Sequence, residues 1–425
     1  MRLVCATKDH PFADDSNELD IVLYGNADIQ TRGSAGAAVM DEVRRRKLDP
    51  IQRAWDFLSL ALAVTAADLA GSRGESPDGW TRQFELKVSV ADPDFWNGQQ
   101  KLISKLLGFL TTDIWQLTFD EGGLSPKPDK NRILPMEDSV MLLSGGLDSF
   151  VGGLDLVARS IRPFAVSQTV RGDADNQRLF AQIMNGGLNH LQLNHNTHVP
   201  NPENPPSQRA RSLLFISFGV LAATSLRKYH EGEEVPLYIC ENGFISINPP
   251  LTGSRLGSLS TRTTHPVFFG MIQQLFLAAN IRIRLINPYQ LKTKGEMLRE
   301  CSNQTLLVEH AYRTTSCGRF KKYGYKHCGR CVPCLVRRAA FLAASIDDAT
   351  SYVYLDLGRD DEGYAGFDDV RSIAMALAEV KDIGLENWVG TALSTALLGN
   401  VASLQDTIAR GLEELGVLLS AHGVR

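Results

Sequence analysis

The stretch SVMLLSGGLDS at 139–149 constrains the fold of this chain more than any other. An apolar, strand-like run ends in Ser144, Gly145 and Gly146, and FVGGLDLVARS then continues with helical spacing. A strand delivered through a glycine turn into a helix is the opening unit of an open parallel sheet, with the turn at the carboxyl edge of the strands. Glycines there let the backbone approach a phosphate. The helix start adds unpaired N–H groups and a partial positive charge, and Ser144 and Ser149 add hydroxyl donors. Ser144, Gly145, Gly146, Leu147, Asp148 and Ser149 are therefore a candidate nucleotide-phosphate loop, with Asp148 a candidate Mg²⁺ ligand. No Gly-Lys-Ser ending follows, so this is not the loop of the kinase-like NTPases. Its form suits cleavage of ATP between the α and β phosphates, with pyrophosphate leaving. A plain Gly-Gly turn is the simpler reading; the order strand, loop, helix favours the phosphate loop.

Cys317, Cys328, Cys331 and Cys334 give the second signal, the pattern Cys-x10-Cys-x2-Cys-x2-Cys. Four thiolates close a tetrahedron around Zn²⁺ and leave no open coordination position, which predicts a structural metal loop. An iron–sulfur cluster uses similar ligands, and spacing alone does not separate the two. Cys5, Cys240 and Cys301 lack such spacing and read as buried, weakly reactive thiols. His195 and His198, in NHNTHVPNPENPPS, have no third ligand nearby and read as part of a proline-rich loop.

Breakers and periodicity divide the chain into three. Residues 1–125 form a small α/β or α+β module without a catalytic constellation. In it Asp49 and Pro50 are expected to cap a helix that Gly71 stops, Phe84, Leu86 and Val88 alternate as a strand, a helix carries Trp96 to Leu110, and Trp115, Leu117 and Phe119 alternate again. The segment Glu121–Asp138, rich in glycine, proline and charge, reads as a linker. Over 138–345, the apolar runs SVMLL, FAVSQ, LYIC and IRIRLIN alternate with helical patterns and predict a parallel sheet with helices on both faces. From about Ser345 the chain is expected to be helical to its end, with Leu404, Ile408, Leu412, Leu415 and Leu419 on one stripe.

Composition excludes several classes. With 44% hydrophobic and 22% charged residues and no apolar run near the ~18–20 residues of a membrane helix, a membrane protein and a disordered chain are both excluded. The formal charge of −4 gives no drive towards a polyanion and points away from nucleic acid. The start, MRLVCATKDHPF, turns polar within seven residues. With an odd count of seven cysteines, it predicts a reduced, cytoplasmic setting.

A strand ending in SGGLDS, followed by the four-cysteine pattern and Arg337, resembles the QueC family (7-cyano-7-deazaguanine synthase) of PP-loop ATP pyrophosphatases over roughly 139–345. Arg211 in RSLLFISFGVLAA resembles the family's Arg-Asn-Ile-Leu-Phe helix start, and Lys294 with Glu296 in TKGEML its Asp-Lys-x-Glu segment. The resemblance implies a Rossmann-like, adenine nucleotide alpha hydrolase-like sheet. It also implies ATP-driven adenylation of 7-carboxy-7-deazaguanine, displacement of AMP by ammonia, and dehydration of the amide to a nitrile. QTVRGDADNQR and CENGFISINPPLTGSRLGSLSTRTTHP depart from the family's second and fourth loops. These departures and the added terminal regions are similar to the QueC-like proteins of anti-phage systems, particularly the Qat C component. That resemblance implies a defence-operon partner protein and an amide made with a protein amine.

On this reading, Asp148, Ser149 and Lys294 are the catalytic candidates. Val166 and Ser167, with the segment after Cys240, are expected to line the nucleotide cleft. Glu241 and Asn242 are candidates for the donor edge of a guanine-like base. Arg211 and Arg262 are further substrate candidates, and Arg255, Arg262 and His265 belong to a loop able to close over an anion. The competing functions are ordinary nitrile synthesis, another PP-loop reaction such as tRNA thiolation, and a zinc-stabilised nucleotide-binding scaffold. The sequence leaves homo-oligomerisation open.

Overall fold

The computed structural model describes residues 1–13, 17–170, 172–204, 207, 209–252, 262, 264–358, 369–393 and 399–424. Two five-stranded sheets organise it, and every strand pair in both is parallel. The first contains β1 (Arg2–Thr7), β2 (Glu18–Leu23), β3 (Gly33–Ala35), β4 (Gln83–Ser89) and β5 (Ile114–Asp120), in the order β3-β2-β1-β4-β5. The second contains β6 (Ser139–Leu142), β7 (Pro163–Gln168), β8 (His190–Leu193), β9 (Val235–Tyr238) and β10 (Ile283–Ile286), in the order β10-β9-β6-β7-β8. Both sheets therefore grow from their first strand to one side and then switch to the other. In the second sheet this places a crevice between the carboxyl ends of β6 and β9, where ligands of open α/β sheets bind.

Helices of the first half are α1 (Ala37–Arg45), α2 (Gln52–Ala70), α3 (Pro93–Gly98) and α4 (Gln100–Thr111). The second sheet is interleaved with α5 (Leu147–Ala158), α6 (Ala174–Ile183), α7 (Arg211–Ser225), α8 (Arg227–His230), α9 (Gly243–Ile247) and α10 (Pro266–Ala278). Then follow α11 (Lys294–Glu300), α12 (Gln304–His310), α13 (Val332–Ala343), α14 (Asp369–Ile383), α15 (Leu385–Leu393) and α16 (Val401–Ala421). No described helix is long and apolar enough to cross a membrane.

The N-terminal region is larger than its sequence pattern indicates. Its two alternating runs are β4 and β5, but β1, β2 and β3 extend them into a full sheet. The alternation has a physical cause. Phe84, Leu86 and Val88 point into the core while Gln83, Glu85 and Lys87 face water, because helices cover only one face there. Strands β6 and β7 are buried along their whole length, as a sheet covered on both sides requires.

α2 is buried from Ala54 to Asp68 and packs between the first sheet and α7, which lies on the second sheet. One continuous apolar cluster therefore includes both sheets. Two expectations need correction. Asp49 does not cap α2: extended Ile51 occupies the N-cap, and Asp49 pairs instead with Arg132 at 2.9 Å while its carbonyl accepts from His230. Residues 346–358 carry no helix; they run beside the cysteine loop, bridging His327 with Tyr352. The C-terminal stripe is buried in α16. His198 forms an antiparallel bridge to Ser34, so the proline-rich loop is stitched to the first sheet.

A buried charged cluster also joins the two halves. The Arg82 guanidinium donates to Asp68 at 2.6 Å and to Asp113 at 2.7 Å. The other Asp68 oxygen accepts from the backbone N–H of Ala210 at 3.0 Å, just before α7. Removing one partner of such a group leaves a charge buried without compensation. Asp113→Ala is expected to cost about 3 kcal/mol, seen as a lower urea midpoint for the tryptophan fluorescence transition.

Candidate active site and metal centre

The loop after β6 is folded on its own serines. Ser144 N–H donates to Ser149 Oγ at 3.2 Å, Gly146 N–H to Ser144 Oγ at 3.2 Å, and the two hydroxyls lie 3.0 Å apart. Gly145 has φ +86, a left-handed conformation that favours glycine, and it lies against Asp173 and Gln177. Gln177 Nε2 donates to the Ser144 and Gln168 carbonyls, each at 3.1 Å. The first turn of α5 leaves its N–H groups without helical partners, facing the crevice.

Asp148 is the meeting point of the site. Its Oδ2 accepts from the backbone N–H of Asn242 at 3.1 Å and from Asn242 Nδ2 at 2.7 Å, and its Oδ1 pairs with the Lys294 ammonium. Asn242 caps α9 through Ile245 N–H at 3.0 Å. Lys294 opens α11, whose capping box is formed by Thr293 and Glu296. Both partners of Asp148 thus sit at starts of short helices that follow strands of the same sheet.

Two adjoining cavities of about 260 and 310 Å³ open at this point. They share Ser144, Gly146, Ser149, Cys240, Glu241, Thr315 and Ser316; Leu147, Asp148 and Lys294 line the first, Asp173 and Arg211 the second. Burial pushes the Asp173 carboxyl up and the Arg211 guanidinium down, the latter against the pull of Asp173. The Glu241 carboxylate accepts from the Thr264 hydroxyl. Burial, with Asp148 beside it, pushes the Cys240 thiol up, so the one cysteine outside the cluster that lines these cavities is held protonated.

Other sequence candidates lie elsewhere. Val166 is buried in β7 and its carbonyl accepts from Leu143; the Ser167 hydroxyl donates to the Leu143 carbonyl and meets His190 at 2.8 Å. Both serve the sheet rather than the cavities. Asn242 is fully buried and holds Asp148 instead of presenting an edge to the cavities. Arg262 donates to the Phe109 carbonyl at 2.8 Å and lies 4.8 Å over the Phe109 ring, tying its loop to α4. His265 caps α10 through Val267 N–H. Arg255 lies outside the described residues. Asp173, Gln177, Thr315 and Ser316 escaped sequence reasoning. Asp173 and Gln177 lie in QTVRGDADNQR, the segment that departs from the family's second loop, and Thr315 and Ser316 lie just before Cys317.

The four cysteines converge as their spacing suggests. Among the described residues they are the only group of three or more such side chains able to hold an ion, with all sulfurs within 4.8 Å of one another. Cys328 and Cys334, and Cys317 and Cys331, have sulfurs 3.9 Å apart. A tetrahedral Zn²⁺ with bonds of about 2.3 Å separates its sulfurs by about 3.8 Å, so the set fits one ion rather than the several atoms of an iron cluster. Backbone N–H groups of Arg319 and Cys328 point at Cys317 Sγ, and that of Cys331 at Cys328 Sγ, at 3.3 to 3.4 Å. Such donors stabilise thiolate charge.

The cysteine loop is tied to the serine-glycine loop through its stem. Thr315 N–H donates to the Gly145 carbonyl at 3.0 Å, and Thr315 Oγ1 to Asp173 at 2.6 Å. Arg337, fully buried one turn after Cys334, donates to Thr314 Oγ1 and the Ala311 carbonyl, each at 2.7 Å, and to Ser316 Oγ at 3.2 Å. The ion would therefore brace the wall of the cavities, the second of which its ligand Cys317 lines. Elemental analysis is expected to find about one zinc per chain, four thiolates enclosing one ion. Cys331→Ala should lose the ion and make the 311–334 segment sensitive to protease.

No protein-family model and no solved structure matches the chain. It is 30% identical over 167 residues to the 7-cyano-7-deazaguanine synthase of Brucella canis, and equally to that of Brucella suis. The match covers 38% of this chain and 57% of each relative, so the chain spans little more than half the length of the curated relatives it matches. Across that stretch, the chain is a distant homologue of the 7-cyano-7-deazaguanine synthases.

Proposed function

We propose that the crevice between β6 and β9 is a PP-loop site that binds ATP and adenylates the carboxylate of a 7-deazaguanine acid. The observation that carries this reading is Asp148, held between Lys294 and Asn242 at the start of α5 and beside a serine-glycine loop. A free carboxylate resists amines. Attack of its oxygen on the α phosphorus forms the acyl–AMP bond and breaks the α–β bridge, releasing pyrophosphate. An amine then attacks the acyl carbon, AMP leaves with the bonding electrons, and the amine proton passes to solvent, giving an amide. Neither step needs a protein nucleophile; positioning and charge neutralisation suffice.

The residues divide this work. The first turn of α5, from Leu147 to Ser149, receives phosphate oxygens on its N–H groups, the serine-glycine loop before it being held by its own hydrogen bonds, and Lys294 supplies a cation beside them. Mg²⁺, when bound, neutralises phosphate charge, and Asp148 is the carboxylate placed to hold it by exchanging its contact with Lys294. In the adjoining cavity Arg211 faces the anionic end of the acid. Glu241, oriented by Thr264, offers acceptors to the N1–H and amino donors of a guanine-like edge. The similarity to 7-cyano-7-deazaguanine synthases supports the ATP-using chemistry and the substrate class. For the acceptor we favour an amine of a partner protein, in an anti-phage system of the cytoplasm, on the resemblance to QueC-like defence proteins. Ordinary nitrile synthesis with ammonia is the second reading.

Purified protein given ATP, Mg²⁺ and 7-carboxy-7-deazaguanine is expected to release AMP and pyrophosphate only when the acid is present. Asp148→Ala should slow that release by about 100-fold or more while leaving the circular dichroism spectrum intact. AMP release that ignores the acid would refute the proposal. Free nitrile in the products, with every neighbouring protein unmodified by mass, would select the second reading.

A further inference from the structure

α16 reaches the phosphate crevice only through other residues, yet it packs on both turns that hold Asp148. On the Asn242 side, Gly411 abuts the Phe244 ring of α9 so closely that a Cβ would overlap it. A Cβ on Gly243 would stand 3.1 Å from the Thr407 methyl. On the Lys294 side the grip is polar. The Glu414 carboxylate accepts from the Thr293 hydroxyl and from Gly295 N–H at 3.4 Å. Arg410 Nε pairs with Glu296 at 2.7 Å, and its terminal nitrogen donates to the Leu291 carbonyl at 2.8 Å.

The Thr293 hydroxyl makes this arrangement specific. Its oxygen must accept from Glu296 N–H, at 3.1 Å, to cap α11. A hydroxyl has one proton, and by taking it Glu414 turns the lone pairs towards the helix. Arg410 restrains Glu296, which closes the box by accepting from Thr293 N–H at 2.8 Å. Lys294 is the next residue, with only 7% of its surface exposed, and its flexible stem ends on Asp148. A long side chain delivers its charge to one place only if its Cα is fixed.

We infer that Glu414 and Arg410 are positioning residues that act through the α11 capping box to set the Lys294 ammonium against the phosphate crevice, an assignment that rests on reading that crevice as a triphosphate site. The C-terminal helices then complete the site from behind rather than merely covering the sheet.

The test is a double-mutant cycle on the full chain, read by calorimetric binding of Mg-ATP. Glu414→Ala is expected to weaken binding about tenfold, the size of coupling carried through packed networks. Lys294→Ala should weaken it at least as much, and the double variant no more than Lys294→Ala alone, because the two changes remove one interaction. Glu414→Gln keeps an acceptor for Thr293 and should recover most of the affinity. Should Glu414→Ala not fold, Arg410→Met at its half-exposed position runs the same cycle with a loss of about threefold. Additive losses, or unaltered affinity in the variant, overturn the inference while leaving the nucleotide site standing. Failure of the unaltered protein to bind Mg-ATP overturns both.

Discussion

A carboxylate buried in the first turn of a helix must be compensated, and Asp148 is compensated from far away in the chain. Lys294 stands 146 residues from it and Asn242 stands 94 residues from it. Neither partner can reach Asp148 until β6, β9 and β10 have paired, so the site is complete only when the sheet is. In return, the ion pair selects one relative placement of α5, α9 and α11, since slippage would separate two charges that are largely shielded from water. The walls of the crevice are thereby fixed relative to one another by contacts within the chain.

The cysteine loop is held to the same point by a different route. Its stem bonds the Gly145 carbonyl and Asp173, and Arg337 fastens the stem to α13, which begins at the metal knuckle. Four thiolates enclosing one ion would supply the rigidity that a loop rich in glycine and lysine lacks. The cysteine loop and the serine-glycine loop are thus mechanically joined through Thr314, Thr315 and Ser316.

The first sheet bears on the site indirectly. Its cluster of Arg82, Asp68 and Asp113 fixes the backbone just before Arg211, and Phe109 receives Arg262 from the loop that carries Thr264 and so orients Glu241. Both segments border the second cavity. The first sheet and the C-terminal helix therefore both brace the crevice, one beside the second cavity and one behind Lys294.

Local features with a chemical signature were legible in the sequence. The serine-glycine loop, the cysteine spacing, the buried strands β6 and β7, the alternating β4 and β5 and the apolar stripe of α16 each carry their pattern within a few turns of chain. Short strands such as β3 and β8 left too few residues to show a period. Asp49 reads as a helix cap because its neighbours suit one, yet a distant arginine takes its carboxylate. Arg262 and Asn242 read as ligand-facing because they carry polar groups near strand ends, yet one binds α4 and the other supports Asp148. The sequence by itself determined which chemical groups this protein owns and which strongly patterned elements it forms. Only the tertiary structure decided which of those groups face a cavity, because a polar side chain takes the nearest partner in space, and that partner is set by sheet order and helix packing rather than by distance along the chain.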